Sequence, residues 1–252
     1  MRVALRYYSI LLVLVLGLAG CDPGGSDVAA NSPANESVND AQIVRFIQAS
    51  KKNILRGGVM AAKFAGRLPK YGKTASVEAV RRIGSDGVVA YDVTNREGDA
   101  TIQKDLIFRF MGGEEESSTR DNTAVAVIPA NYKFKAKGTQ ELAGRTASVY
   151  EVTPRSKRHG LFKGEVWIDN ETGLPLREQG RFVKSPSVFF KTVDFAREYE
   201  IRDGFAVPKK MNTVVLTRLW GQVELDVFYD GFRWQEAPPK ITPTAVAASE
   251  AH

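Results

Sequence analysis

Cysteine and histidine are almost missing from this chain. One cysteine, Cys21, and two histidines occur in 252 residues. A single thiol excludes any internal disulfide and any multi-cysteine metal site. The histidines offer little chemistry. His252 is the last residue, and His159 stands in the basic run Arg155-Ser-Lys-Arg-His159. No Gly-x-Ser-x-Gly elbow accompanies His159, so a serine–histidine–carboxylate set has no scaffold, and a solvated turn is the expectation there. No Gly-x-x-x-x-Gly-Lys loop and no dinucleotide fingerprint is present. Glu114-Glu115-Glu116 is the densest carboxylate run. It reads as a charged loop at a hairpin end rather than a calcium site. The expectation is a protein that is not an enzyme and that uses no cofactor and no metal.

Strong charge of one sign is also missing. The chain carries +6, with 43% hydrophobic and 25% charged residues. That balance is ordinary for a globular protein and too weakly basic for a nucleic-acid partner. The one long apolar run is at the start. Arg2 and Arg6 precede Ile10–Leu16, and the run continues through Gly17, Leu18 and Ala19. It is too short to span a bilayer comfortably and has the layout of a signal peptide.

Leu18-Ala19-Gly20-Cys21 at the end of that run resembles the bacterial lipobox. The resemblance implies diacylglyceryl transfer to the Cys21 thiol and cleavage before it by signal peptidase II, with Leu18, Ala19 and Gly20 as the recognised residues. Loss of Arg2 and Arg6 leaves 33 basic against 29 acidic residues, net +4. Several acyl chains together hold a protein on a membrane stably. The location this implies is the bacterial cell envelope, facing the periplasm or exterior. Asp22 resembles the inner-membrane retention mark of enterobacterial lipoproteins, and the choice between inner and outer membrane stays open.

The segments read as a leader (1–20), a lipidated cysteine with a polar, Gly/Ser/Asn-rich tether (21–39), one folded domain (40–236) and a Pro/Ala-rich tail (237–252). Within the domain, Asp40 can cap a helix carrying Ile43, Phe46, Ile47, Ile54 and Leu55, with Gly57-Gly58 at its end. Val59–Leu68 is open between helix and strand, and Pro69 stops it. From Lys73 onward the period is two. Val223, Leu225, Val227 and Tyr229 alternate with Glu224, Asp226, Phe228 and Asp230, and Val89, Tyr91 and Val93 show the same habit, as do Leu106, Phe108 and Phe110. Tyr132, Phe134 and Ala136 are expected inside, with Lys133, Lys135 and Lys137 outside. Val193, Phe195, Tyr199 and Ile201 share a parity that Arg197 interrupts. The fold class is therefore mainly β with an N-terminal helix (α+β). About ten antiparallel strands form a long curled sheet, an incomplete barrel with the helix on its concave side.

Tyr150-Glu-Val-Thr-Pro154, Val166-Trp-Ile-Asp169 with Asn-Glu-Thr-Gly173-Leu-Pro175, and the segments Phe195–Val207 and Gly221–Tyr229 resemble strands of the lipoprotein-sorting superfamily, including LolA/LolB-type carriers and the RseB-type amino-terminal domain. That resemblance implies an incomplete β-barrel with an apolar cavity for a lipid, an acyl chain or a lipoprotein, or else a regulatory module that binds an envelope protein partner. Phe108, Phe110, Tyr132, Phe134, Trp167 and Phe195 are the candidate cavity residues. Arg155, Lys157, Arg158 and Lys163 form a candidate basic patch. Metabolic labelling with palmitate tests the anchor: incorporation into the wild type and none into Cys21→Ala is the expected outcome, with the variant leaving the membrane fraction.

Overall fold

The computed structural model describes residues 33–185 and 188–235. The lipobox residues Leu18, Ala19, Gly20 and Cys21 and the 237–252 tail lie outside them. Helix α1 (Pro33–Lys52) precedes β1 (Gly58–Leu68), β2 (Lys73–Ile83) and β3 (Val89–Gly98). A helical rod follows, made of α2 (Ala100–Ile102), a π turn (Gln103–Ile107) and α3 (Phe108–Ser118). Seven further strands complete the chain: β4 (Tyr132–Leu142), β5 (Arg145–Pro154), β6 (Phe162–Asp169), β7 (Pro175–Phe182), β8 (Phe190–Arg202), β9 (Phe205–Thr217) and β10 (Gln222–Trp234).

The strands form one 10-stranded sheet in the order β3-β2-β1-β10-β9-β8-β7-β6-β5-β4, every pair antiparallel. The sheet is curled and unclosed. β4 to β10 is a meander, and β1 closes onto β10 rather than onto β4. Val59–Leu68, left open by the sequence, falls within β1. Its alternating burial explains why: Met60, Ala62 and Phe64 are buried while Ala61 and Lys63 are exposed.

Three departures from the sequence reading concern helices. Leu106, Phe108 and Phe110 are helical, not a strand, and Glu114-Glu115-Glu116 lies on that helix, not in a loop. Ile102, Leu106, Ile107, Phe110 and Met111 recur at the i, i+4, i+5 spacing that makes a helical stripe, and this wider pattern outweighs the local alternation. Asp99 starts the rod by accepting from the amides of Thr101 (2.9 Å) and Ile102 (3.1 Å). Helix α1 begins at Pro33, ahead of Asp40, with proline at the first helical position where its missing N–H costs nothing.

One row of partners crosses nine strands on the concave face: Val77, Phe64, Val227, Met211, Arg197, Glu178, Val166, Tyr150 and Ala136. Side chains in such a row share a face. The rod lays Ile102, Ile107 and Met111 on the β1, β2 and β10 part of that face. Gly66 permits this approach, because a Cβ there would stand 2.6 Å from Ile102 Cγ2. Helix α1 lays Ile43, Phe46 and Ile47 on the other part, against Tyr132, Tyr150, Val166 and Phe195. Burying one such aromatic stabilises by about 2–3 kcal/mol.

A buried carboxylate paired with a half-exposed arginine ties the β6–β7 hairpin to β5. Asp169, 1% exposed, accepts from Arg145 Nε (2.8 Å) and Nη2 (3.0 Å), and from the Thr172 amide (2.8 Å) and hydroxyl (2.6 Å). Its backbone carbonyl and that of Asn170 hold α1 through Gln42 Nε2 (3.1 Å) and Arg45 Nη1 (2.7 Å). Burial acts to raise the Asp169 pKa, but the Arg145 and Thr172 bonds outweigh it and hold the carboxyl below its ordinary value. A depressed pKa stabilises the fold above the ordinary carboxylate range, and that contribution disappears as pH falls through the folded value. Asp169→Asn is expected to cost about 3 kcal/mol at neutral pH. In denaturant titrations the gap between variant and wild type should narrow on acidification below the ordinary carboxylate range.

Candidate functional site

The concave face has two apolar banks. Under α1, Phe195 packs edge-on to Phe162 (centroids 4.9 Å) and stacks on Phe182 (5.0 Å), while Phe134 meets Tyr150 at 6.1 Å. Room for these rings comes from the paired Gly164 and Gly180, where a Cβ on Gly180 would fall 2.7 Å from the Phe162 ring. Under the rod, Phe64 contacts Phe110 (6.1 Å) and Tyr91 (5.5 Å). The sequence-derived cavity residues therefore divide. Tyr132, Phe134 and Phe195 belong to the α1 bank, and Phe108 and Phe110 to the rod bank. Trp167 does not join them. It alternates with Val166 and Ile168, so it stands on the opposite face with Ala147, Val149 and Leu176, its indole donating to Gln140 Oε1 at 3.0 Å. Tyr132 and Phe134 pack inward as their parity predicted. Ala136 shares that face but is exposed, and Lys133, Lys135 and Lys137 are exposed.

Between the banks runs a polar belt that the sequence reading did not single out. Arg81, 6% exposed, meets Glu114 Oε1 through Nη2 (2.5 Å) and Nε (3.1 Å). Tyr91 donates its hydroxyl to Glu114 Oε2 at 2.5 Å, and Tyr229 does so at 3.4 Å. Arg81 also lies over the Tyr229 ring, 5.7 Å from its centroid. On β7 and β8, Tyr199 donates to Glu178 Oε2 (3.1 Å), and Arg197 approaches the same oxygen at 3.8 Å while lying over Phe195. Burial acts to lower the Arg81 pKa, and Glu114 with the two tyrosines more than offsets it. Arg197 follows the same pattern, with Tyr199, Glu178 and Glu114 opposing its desolvation. Tyr91, Tyr199 and Tyr229 are pushed above the ordinary tyrosine range, by burial first and a nearby carboxylate second, and stay neutral. The signal for this belt was a break in alternation. Arg81 follows Ala75, Val77 and Ala79 in parity, and Arg197 follows Val193 and Phe195.

The basic residues Arg155, Lys157 and Arg158 are exposed in the β5–β6 connection. Lys163 belongs to β6 and approaches Glu151 at 4.0 Å. His159 nearby is partly buried, and burial and then Lys184 lower its pKa. An open cleft of about 430 Å³ lies at the margin of the rod bank, lined by Val93–Arg96 and Phe108. Among the described residues no group of three or more His, Cys, Asp or Glu side chains is placed to hold a metal ion, and no helix is long and apolar enough to cross a membrane.

Residues 109–180 match the MucB/RseB N-terminal domain family. Several solved structures are similar over most of the chain at low identity. A DUF1329 family protein from Desulfovibrio piger is 13% identical, covers 79% of this chain and 93% of its own, and has a TM-score of 0.44. A LolA superfamily protein from Nitrosomonas europaea is 10% identical over 78% of this chain and 94% of its own, with a TM-score of 0.38. MucB is 15% identical over 75% of this chain and 93% of its own, with a TM-score of 0.34. No curated protein matches the chain.

The matched stretch runs from α3 to β7 and so takes in Glu114 and Glu178. Glu114 ties the rod to the sheet, and its removal strands a buried guanidinium. Glu114→Gln is expected to lower stability by about 3 kcal/mol. Adding Arg81→Met should recover only part of that loss, because the Tyr91 and Tyr229 hydroxyls still lack their carboxylate. A double-mutant cycle read by urea denaturation measures this.

Proposed function

We propose that this chain is a membrane-tethered envelope lipoprotein that binds a lipid, an acyl chain or the acylated end of a lipoprotein on the concave face of its open sheet. The observation that carries this reading is the apolar inner face of a sheet whose edges do not meet, covered by two helical elements rather than a second sheet. Helices held by a few polar ties and by non-directional apolar contact can be exchanged for hydrocarbon, because each methylene buried contributes about 0.8 kcal/mol whatever its orientation. The α1 bank, with Phe134, Tyr132 and Phe195, is the better seat. A polar head group would find Arg197, Glu178 and Tyr199 at its margin.

A second reading is a non-enzymatic regulatory module for an envelope protein partner. The match of residues 109–180 to the MucB/RseB N-terminal domain favours it. Mass spectrometry of lipid extracted from purified residues 22–252 separates the two. The first reading expects one defined lipid class in the wild type and in Phe228→Glu, whose side chain is on the outer face. It expects loss from Phe134→Glu while the thermal melt remains cooperative. Lipid-free protein that captures a single envelope protein would favour the second.

A further inference from the structure

In an all-antiparallel sheet every turn belongs to one of two rims. The connections β1–β2, β5–β6, β7–β8 and β9–β10 share one rim, and β2–β3, β4–β5, β6–β7 and β8–β9 share the other. Their chemistry differs sharply. Residues 69–72, 155–161, 183–189 and 218–221 contain six Lys or Arg and no Asp or Glu. Residues 84–88, 143–144, 170–174 and 203–204 contain Asp86, Glu171 and Asp203 and no Lys or Arg.

Large apolar side chains follow the basic rim. Tyr71 is 50% exposed, Val188 78%, Phe189 57%, Leu219 65% and Trp220 48%. On the acidic rim none of these four turns carries an exposed large hydrophobic; the α1–β1 connection, whose Gly57 amide donates to the Gly84 carbonyl there (3.0 Å), adds one cation, Arg56, and one apolar side chain, Ile54, 49% exposed. The tips are fastened together. Arg218 donates its amide to the Phe189 carbonyl (2.9 Å) and its Nε to the Val188 carbonyl (2.8 Å). Lys70 sits over the Tyr71 ring at 5.3 Å and beside Gly221.

The cations are available as well. Among the described residues, Lys70, Lys157, Lys184 and Arg218 form no ion pair. Arg155 and Arg158 are fixed by neutral acceptors, Pro129 O and Asn131 Oδ1, which leaves their charge uncompensated. Asp99, where the rod starts at the same rim, is already held by Lys73 Nζ at 2.7 Å.

We infer that this rim is a docking surface for an anionic phospholipid bilayer. Leu219, Trp220, Val188 and Phe189 enter the interface, and the surrounding lysines and arginines meet the head groups. Aromatic and aliphatic tips ringed by cations are the combination that sits at a membrane–water interface. A charge ring alone would read as protection of a sheet end, and apolar tips alone would equally suit a protein partner. Together, facing away from an acidic rim, they orient the barrel on a negative surface. The inference does not depend on an acyl chain occupying the concave face or on lipidation of Cys21.

Residues 22–252, which include every described element, provide the test by co-sedimentation with vesicles. Binding is expected to phosphatidylcholine vesicles containing about a third phosphatidylglycerol and to weaken strongly in high salt. Leu219→Ser with Trp220→Ser should weaken it about tenfold or more. Each of Lys70→Gln, Lys157→Gln and Lys184→Gln should weaken it up to about fivefold. Glu171→Gln with Asp203→Asn, on the opposite rim, should not weaken it. Bromine-labelled acyl chains should quench fluorescence in the parent more than in Trp220→Phe. Equal sedimentation with and without phosphatidylglycerol would overturn the inference, as would undiminished binding of the Leu219→Ser, Trp220→Ser variant. Lipid-free protein that still binds vesicles would leave this inference standing and remove the concave-face reading alone.

Discussion

An antiparallel sheet whose edge strands do not pair with each other leaves one face that nothing in the sheet itself can cover. Everything else in this structure answers that constraint. The inner rows of β1 to β10 carry Phe64, Val227, Val166 and Tyr150, and water must be kept from them. Two helical elements do so, one ahead of the sheet and one inserted between the edge strands β3 and β4. The inserted rod also treats the β3 edge, where the Val89 and Tyr91 amides donate to Ser118 Oγ and Glu115 Oε1 at 2.9 and 3.0 Å. Those amides would otherwise offer a template for another strand.

The polar belt qualifies the picture of a purely greasy interior. Arg81, Glu114, Arg197 and Glu178 put two opposite pairs of charges on the concave face. Pairs of this kind add little net stability over an apolar replacement, yet removing one partner is costly because it leaves a buried charge unpaired. Here Glu114 binds the rod to β2, β3 and β10 at one place, whereas apolar contact alone would let the rod slide along its groove. Helix α1 is held differently, by Gln42 and Arg45 on backbone carbonyls at the edge of its bank. Each helix thus has a few directional contacts that set its position and a broad apolar contact that sets its strength.

Much of this could be read in the residues one by one. Alternation in Tyr132–Ala136 and Val223–Tyr229 located strands and their inner parity, because period two has one structural meaning when one face is buried. The Asp169-to-Pro175 segment makes its hairpin through local chemistry: Asp169 accepts from Thr172, Gly173 takes positive φ and Pro175 starts β7. The rod was misread because Leu106, Phe108 and Phe110 satisfy a period of two within a longer stretch whose period is near 3.6. Trp167 was misplaced because an aromatic on a strand does not say which face it takes. Its neighbours Val166 and Ile168 are apolar too, so β6 offered no parity to decide.

Composition and local order were sufficient for the antiparallel class and for most of the strands, since these depend on residues adjacent in the chain. Tertiary structure alone decided which strands meet, that β1 pairs with β10, and that Arg81 and Glu114 share one site although 33 positions apart. It alone gathered the cations and aromatic tips of four separate turns onto one rim. The physical reason is that pairing energy comes from contacts between segments distant in sequence. No local pattern encodes which distant segment will be the neighbour.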